Sequence, residues 1–231
     1  MRSRVKPPSG AGRSAGFAVI AVGSALALGG CGWFGSDKDK PYVETPVEIL
    51  YNRAMDDLSQ QEYKQAAREF EEVDRQHPYS VWATKAQIMA AFTYYQSNKY
   101  DEAIIALDRF INLHPGHRDI PYAYYLKGLC YYEQISDVGR DQRVTQQALD
   151  SLSDLAKRFP DTPYAKDARL KVELTIDHLG GKEMDIGRYY QKNQQYVGAI
   201  NRYRTVIERY QTTTHVPDAV RAWLASACAP L

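Results

Sequence analysis

The stretches Asn52 to Pro78, "NRAMDDLSQQEYKQAAREFEEVDRQHP", and Met89 to Pro115, "MAAFTYYQSNKYDEAIIALDRFINLHP", align without a gap at an offset of 37 residues. Ala54 falls on Ala91, Tyr63 on Tyr100, Ala66 on Ala103 and Pro78 on Pro115. No alternating polar and apolar run nearby is long enough to insist on a strand, and the spacing of apolar residues is helical. Each landmark suits a pair of antiparallel helices. An alanine at a crossing lets two helix axes approach, an aromatic wedges the gap between successive helices, and a proline, lacking an N–H, ends the second helix.

This pattern resembles the tetratricopeptide repeat, a helix hairpin of about 34 residues closed by a proline. A third unit follows, with Gly128 and Tyr131 in its first helix and Ala148 and Pro160 in its second. Its halves are eight residues out of phase, which predicts an extended turn around Asp137 to Val144. In "FPDTPYAKDARL", Asp161 or Thr162 can cap a helix whose first residue is Pro163. That helix is expected to run to Leu179 and stop at Gly180-Gly181. A last match is "MDIGRYYQKNQQYVGAINRY", with Gly187, Tyr190, Tyr196 and Ala199 at repeat positions. The expected fold is all-α: a right-handed α-solenoid of about five tetratricopeptide hairpins, about ten helices, over residues 47–228.

The chain opens differently. Arg2, Arg4, Lys6 and Arg13 precede 14 almost entirely small or aliphatic residues, Ala15 to Leu28. A membrane-spanning helix needs roughly 20, so this run reads as the h-region of a signal peptide over residues 1–30. Leu28-Gly29-Gly30-Cys31 resembles the lipobox of bacterial lipoproteins, which implies cleavage before Cys31 and acylation of its thiol and new amino terminus. Two or more acyl chains give stable anchoring where one holds only marginally. By resemblance to lipoprotein sorting, Gly32 after the cysteine points to the outer membrane. Residues 31–46, with Asp37, Lys38, Asp39, Lys40 and two prolines, read as the lipidated cysteine and a flexible linker. Removal of residues 1–30 takes the formal charge from +1 to −3, which argues against a nucleic-acid partner.

Catalytic and metal-binding patterns were sought beyond the linker. There is no nucleophile elbow, P-loop, dinucleotide glycine motif or HExxH. "LGGKEM" at Leu179 to Met184 follows a helix, not a strand, and "HPGH" at His114 to His117 reads as a repeat-closing turn. Cys130 is expected to be a small buried residue, and Cys228 lies near the end without a CxxC partner. No enzyme, cofactor or metal site is indicated.

Eighteen tyrosines remain to be placed. Tyr63, Tyr94, Tyr100, Tyr131, Tyr190 and Tyr196 occupy repeat positions and read as core. Tyr79, Tyr95, Tyr122, Tyr124, Tyr125, Tyr132, Tyr189 and Tyr203 either line a concave face or ridge, offering rigid amphipathic contact area, or pack with hydroxyls at the rim. The cluster at Tyr122 to Tyr125 favours binding.

The segments "HPYSVWATKAQIMAAFTYYQSNKYDEAIIALDRFINLHPGH", "YAYYLKGLCYYEQI", "RFPDTPYAKDAR" and "KEMDIGRYYQKNQQYVGAINRYRTVIERYQTTTHVPDA" together resemble the BamD family, lipoproteins of the outer-membrane β-barrel assembly machine. The resemblance implies a non-enzymatic periplasmic scaffold held at the outer membrane through lipidated Cys31. It further implies docking on a POTRA domain of BamA, contact with other Bam lipoproteins, and binding of the C-terminal strand of unfolded outer-membrane β-barrel proteins. Carried over by motif, Arg202 of "AINRY" would pair with a BamA carboxylate, beside Arg188, Tyr189 and Tyr190 of "GRYY". The substrate groove would comprise Tyr79, Tyr94, Tyr95, Arg109, Phe110, Tyr122 and Tyr125. An arginine fork can hold a carboxylate bidentately, and aromatic pockets suit strands that end in an aromatic residue. The family usually has a complete last helix, whereas "AVRAWLASACAPL" suggests a shortened final hairpin. A periplasmic adaptor of cell-wall or pilus assembly is the competing reading.

Overall fold

The computed structural model describes residues 44–135 and 142–228, and among them nine helices follow one another with no strand. They are α1 (Val47–Ser59), α2 (Tyr63–Gln76), α3 (Val81–Gln96), α4 (Tyr100–Leu113), α5 (Ile120–Glu133), α6 (Arg143–Arg158), α7 (Pro163–Lys192), α8 (Tyr196–Arg209) and α9 (Val216–Ala227). Each packs against the next, and α1 on α3, α3 on α5 and α5 on α7 touch along one side. The described residues thus form an all-helical solenoid of tetratricopeptide-type hairpins, α1–α2, α3–α4, α5–α6 and α7–α8, with α9 packed on α8.

The repeat landmarks sit where the helices cross. Ala54, Ala66, Ala91, Ala103, Ala148 and Ala199 are all fully buried. Where the crossing is tightest glycine replaces alanine. A Cβ on Gly128 would lie 2.5 Å from Leu152, and one on Gly187 would lie 2.4 Å from the Tyr203 ring. The core runs as a chain of local clusters. Leu50, Phe70 and Val73 fill the first, Leu107, Phe110 and Leu126 the second, Leu152 and Leu155 the third, and Met184, Tyr203 and Val206 the last. Burial of this kind, at roughly 25 cal/mol per Å² of apolar surface, ties each helix to its neighbours and to little else.

Two turns alternate. Within hairpins, Gln61, Asn98 and Gln194 take left-handed φ values of 64°, 59° and 60°, and the following N–H reaches back to Asp57, Tyr94 or Tyr190. Between hairpins, the residues ending the helices, His77, His114, Phe159 and Tyr210, donate their N–H groups to Val73, Phe110, Leu155 and Val206. Ser80 caps α3 by accepting from the Ala83 N–H at 3.0 Å, and Thr162, not Asp161, caps α7 by accepting from Ala165 at 3.2 Å.

The structure corrects the sequence reading in three places. The helix beginning at Pro163 does not stop at Gly180-Gly181 but continues to Lys192 as one 30-residue element. The two glycines are buried there because the α8–α9 turn lies against them: a Cβ at Gly180 would sit 3.3 Å from Thr213, and one at Gly181 3.0 Å from His215 Nε2. The expected ten helices are accordingly nine among the described residues. Finally, the expected linker is not loose to Pro46. Thr45 donates its N–H to Gln76 Oε1 at 3.0 Å, its carbonyl lies 2.8 Å from His77 Nε2, and the Pro46 carbonyl accepts from Ile49 and Leu50. The expected turn at Asp137 to Val144 falls largely outside the described residues, although α6 already includes Arg143 and Val144. The signal peptide and Cys31 lie wholly outside them.

Candidate functional site

Facing residues of α2, α3 and α4 enclose a cleft of about 260 Å³, lined by Phe70, Glu71, Asp74, Gln87, Ala90, Tyr94, Glu102, Ile105, Ala106 and Arg109. Its apolar part is formed by Phe70, Ala90, Ala106 and Ile105, the last 70% exposed despite being aliphatic. Its polar part is a connected set. Arg109 Nη2 lies 3.0 Å from Asp74 Oδ2, Gln87 Nε2 donates to Asp74 Oδ1 at 2.7 Å, and the Gln87 carbonyl lies 3.0 Å from His114 Nε2. The Tyr94 hydroxyl donates to Glu71. Burial, then the Glu71 hydrogen bond and the nearby Glu71 and Glu102 charges, push the Tyr94 hydroxyl well above its usual range. It therefore stays a proton donor.

A tyrosine row extends along the first helices of the hairpins. The Tyr164 ring of α7 lies 5.5 Å from Tyr122 and 5.3 Å from Tyr125 on α5, and the Tyr125 hydroxyl donates to Asp167 at 2.6 Å. On α3, Tyr95 lies 5.9 Å from Tyr100. Burial pushes Tyr95 and Tyr122 up to about 12 each, with Glu133 adding to the first and Tyr164 to the second. The Tyr125 hydrogen bond, ahead of Lys171, holds Asp167 below the usual carboxylate range.

The expected groove residues therefore divide. Tyr94 and Arg109 line the cleft, whereas Tyr95, Tyr122 and Tyr125 belong to the tyrosine row. Tyr79 is fully exposed on the α2–α3 turn and lines neither. Phe110 is a correction: it is wholly buried, 5.1 Å from the His114 ring and 5.6 Å from His117, and presents no surface to a ligand. For Tyr203, left open between surface and packing, the structure shows packing: among the described tyrosines it is the one buried completely, with its hydroxyl donating to Gln191 at 2.8 Å. The six repeat-position tyrosines are only half-buried.

In the C-terminal half, Arg202 Nη1 of α8 lies 3.1 Å from Glu183 Oε2 of α7; Arg202 is 41% exposed and Glu183 18%. Tyr190 packs against Gly198, and Tyr189, 66% exposed, stands 6.1 Å from the Tyr190 ring. Arg188 pairs with Asp185 at 3.1 Å and lines a separate cleft of about 240 Å³ with Leu174, Asp177, His178, Gly181 and His215. There Asp177 Oδ1 accepts from both the N–H and the hydroxyl of Thr214 at 2.9 Å, fixing the α8–α9 turn. Sequence reading had no part in finding Glu71, Asp74, Gln87, Glu102 or Ile105. The spacing of Glu71 and Asp74, three apart on a helix, was the available signal. Among the described residues no group of three or more His, Cys, Asp or Glu side chains is placed to hold a metal. None of the helices is long and apolar enough to cross a membrane. Cys130 is buried, its thiol pushed up to about 12 by that burial, and both Cys130 and Cys228 are free.

Stacked helix hairpins with an open cleft, a tyrosine row and a half-exposed arginine define a helical-repeat protein with no catalytic constellation among the described residues. Residues 43–227 match the family described as outer membrane lipoprotein, YfiO. The chain is 48% identical to the outer membrane protein assembly factor BamD of Caulobacter vibrioides over 87% of its length and 66% of that protein's. It is 45% identical to BamD of Rickettsia prowazekii, covering 88% of this chain and 79% of that one. It is 34% identical to BamD of Neisseria meningitidis serogroup B, covering 87% and 80%. The chain spans slightly less than two thirds of the Caulobacter relative. It belongs to the BamD family of outer membrane lipoproteins, whose Caulobacter and Rickettsia members are named outer membrane protein assembly factors.

Proposed function

We propose that this protein is the scaffold on which a β-barrel assembly machine brings unfolded outer-membrane proteins to the membrane, tethered there by acyl chains on Cys31. Its C-terminal half would dock on a POTRA domain of BamA through Arg202, with Arg188, Tyr189 and Tyr190 beside it. Its N-terminal half would receive the terminal strand of a barrel precursor along Tyr94, Arg109, Tyr95, Tyr122 and Tyr125. Other Bam lipoproteins would join the same assembly.

The observation that carries this reading is the Arg202–Glu183 pair. One guanidinium nitrogen is held at 3.1 Å by a largely covered carboxylate while the side chain stays 41% exposed. An arginine has five N–H donors in a rigid fork, so one intramolecular contact positions the group and leaves others for a partner carboxylate. The purified protein should bind an isolated BamA POTRA array, and Arg202→Glu should weaken that binding at least about tenfold, the scale of a charge-assisted contact of roughly 1.5–3 kcal/mol. Glu183→Gln, which loosens the internal pair but keeps the arginine, should weaken it much less. Unchanged affinity in Arg202→Glu, with helicity intact by circular dichroism, overturns the role of Arg202.

A further inference from the structure

The α2–α3–α4 cleft is built to accept donors and not anions. Its donors already face internal acceptors: the Tyr94 hydroxyl donates to Glu71, one guanidinium nitrogen of the 65% exposed Arg109 lies 3.0 Å from Asp74, and the Gln87 amide donates to Asp74 at 2.7 Å. A hydroxyl has only one hydrogen to give, and the raised titration of Tyr94 keeps that hydrogen in place. Against this stand three carboxylates, Glu71, Asp74 and Glu102, and one guanidinium, so the lining is net negative. Glu102 is exposed at the rim and makes no hydrogen bond or ion pair among the described residues. Lys99 stands over the Tyr94 ring at 5.9 Å and is not part of the lining.

Beside these acceptors lies the apolar surface of Phe70, Ala90, Ala106 and the 70% exposed Ile105. At about 260 Å³ the cleft is smaller than a typical ligand pocket and suits one or two side chains. A carboxylate placed there would meet a net negative lining, in which the single guanidinium already faces Asp74. A lysine or arginine would lay its methylene stem on Ile105 and its head among Glu71, Asp74 and Glu102.

We propose that this cleft recognises a lysine or arginine side chain flanked by an apolar residue within an extended, unfolded peptide segment, and that the free carboxylate end of a substrate strand is bound elsewhere. The proposal rests on the reading that the N-terminal half receives unfolded strands. It separates two components of that recognition, with aromatic side chains facing the tyrosine row and basic side chains facing the cleft.

The test uses the full-length protein and fluorescent ten-residue peptides sharing one alternating aromatic sequence, with Lys, Gln or Glu at a single inward position. Each peptide is made with a free C-terminal carboxylate and with an amide. In fluorescence anisotropy the Lys peptide should bind about three- to tenfold tighter than the Glu peptide, the range of partly exposed charge pairs. The preference should shrink in high salt, amidation should leave it unchanged, and Glu102→Gln should reduce it. Equal binding of the Lys and Glu peptides, or a preference for the free carboxylate that depends on Arg109, overturns the cleft's specificity while leaving strand binding intact. Failure of every peptide to bind overturns the strand-receiving role itself.

Discussion

In the N-terminal half, α2, α3 and α4 meet around a cleft that stays open between Ile105 and Glu102, whereas in the C-terminal half α7 and α8 close completely on Tyr203. The same hairpin pattern underlies both. What differs is the residue opposite each crossing. Ala91 and Ala103 keep their helices at alanine distance, and the second core cluster is filled by Phe110, Leu107 and Leu126. Gly187 removes even the Cβ and lets a whole tyrosine ring into the space. The first arrangement leaves an edge on which another chain can rest. The second makes a rigid joint that holds Arg202 and Glu183 in register, one on each helix of the pair.

Truncating the ring that fills the joint should have the largest effect. Tyr203→Ala removes a completely buried aromatic and its hydrogen bond to Gln191, so a loss of about 3–5 kcal/mol is expected in chemical denaturation. Tyr79→Ala, at the fully exposed turn of the other half, should change stability by less than about 0.5 kcal/mol. Comparable losses for the two would show that Tyr203 does not close the joint.

The two glycine crossings sharpen the contrast at a smaller scale. Glycine to alanine in a helix gains about 1 kcal/mol of intrinsic propensity, while overpacking costs typically about 1–3 kcal/mol. At Gly128 the obstructing atom is the end of the Leu152 side chain, 2.5 Å away, which can turn aside; at Gly187 it is the Tyr203 ring, pinned on all sides. Gly128→Ala should therefore come out near neutral and Gly187→Ala destabilising by about 1–2 kcal/mol. Thermal denaturation of the two variants measures the difference directly, and the reverse order would undo the comparison.

Much of this was readable beforehand, and the failures have physical causes. The 37-residue landmarks located the hairpins because an alanine at a crossing is dictated by helix geometry alone. Gly180-Gly181 misled because a missing Cβ serves equally to end a helix in a left-handed residue or to admit another segment against its side. Only the α8–α9 turn, with Thr213 and His215 against α7, decides between them. Tyr203 stayed open and Phe110 misled for a related reason. Aromatic residues are used both in cores and at binding surfaces, and which use applies depends on the partner opposite, Gly187 for the first and His114 and His117 for the second. The cleft's carboxylates escaped notice because, taken one at a time along the chain, they look like solvated helix surface.

Alkaline titration tests how firmly the cleft and the tyrosine row hold their hydroxyls protonated. Burial raises Tyr94, Tyr95, Tyr122 and Tyr125, the middle two to about 12. Unfolded tyrosines titrate near 10, so above that pH the unfolded chain loses protons that the folded chain keeps. The stabilisation is complete below about pH 10 and is lost as pH rises toward the folded values. The melting temperature should fall between about pH 10 and 12, and the double variant Tyr95→Phe/Tyr122→Phe should flatten that fall. An unchanged slope would mean that these two hydroxyls are not held protonated by the fold.

The hairpin turns are shared by both halves, and they give the smallest effect and the most direct control. Gln61 and Gln194 adopt the same left-handed conformation as Asn98, at φ values of 64°, 60° and 59°. That region costs an ordinary L-residue about 1–2 kcal/mol, and asparagine, whose short amide can bond locally, bears it better than glutamine. The flanking hydrogen bonds are alike at all three turns, from Glu62, Lys99 and Gln195 back to Asp57, Tyr94 and Tyr190. Asn98 alone among the three is also held by its side chain, its Oδ1 accepting from the Tyr100 hydroxyl at 2.9 Å, so the two glutamine turns isolate the residue's own conformational cost. Gln61→Asn and Gln194→Asn are each expected to raise the denaturant midpoint by the equivalent of a few tenths of a kcal/mol, and Asn98→Gln to lower it by a similar amount, with unchanged m-values. If Gln194→Asn behaved unlike Gln61→Asn, the C-terminal turn would be carrying a load beyond its backbone, and the contrast between the two halves would extend to the turns they share.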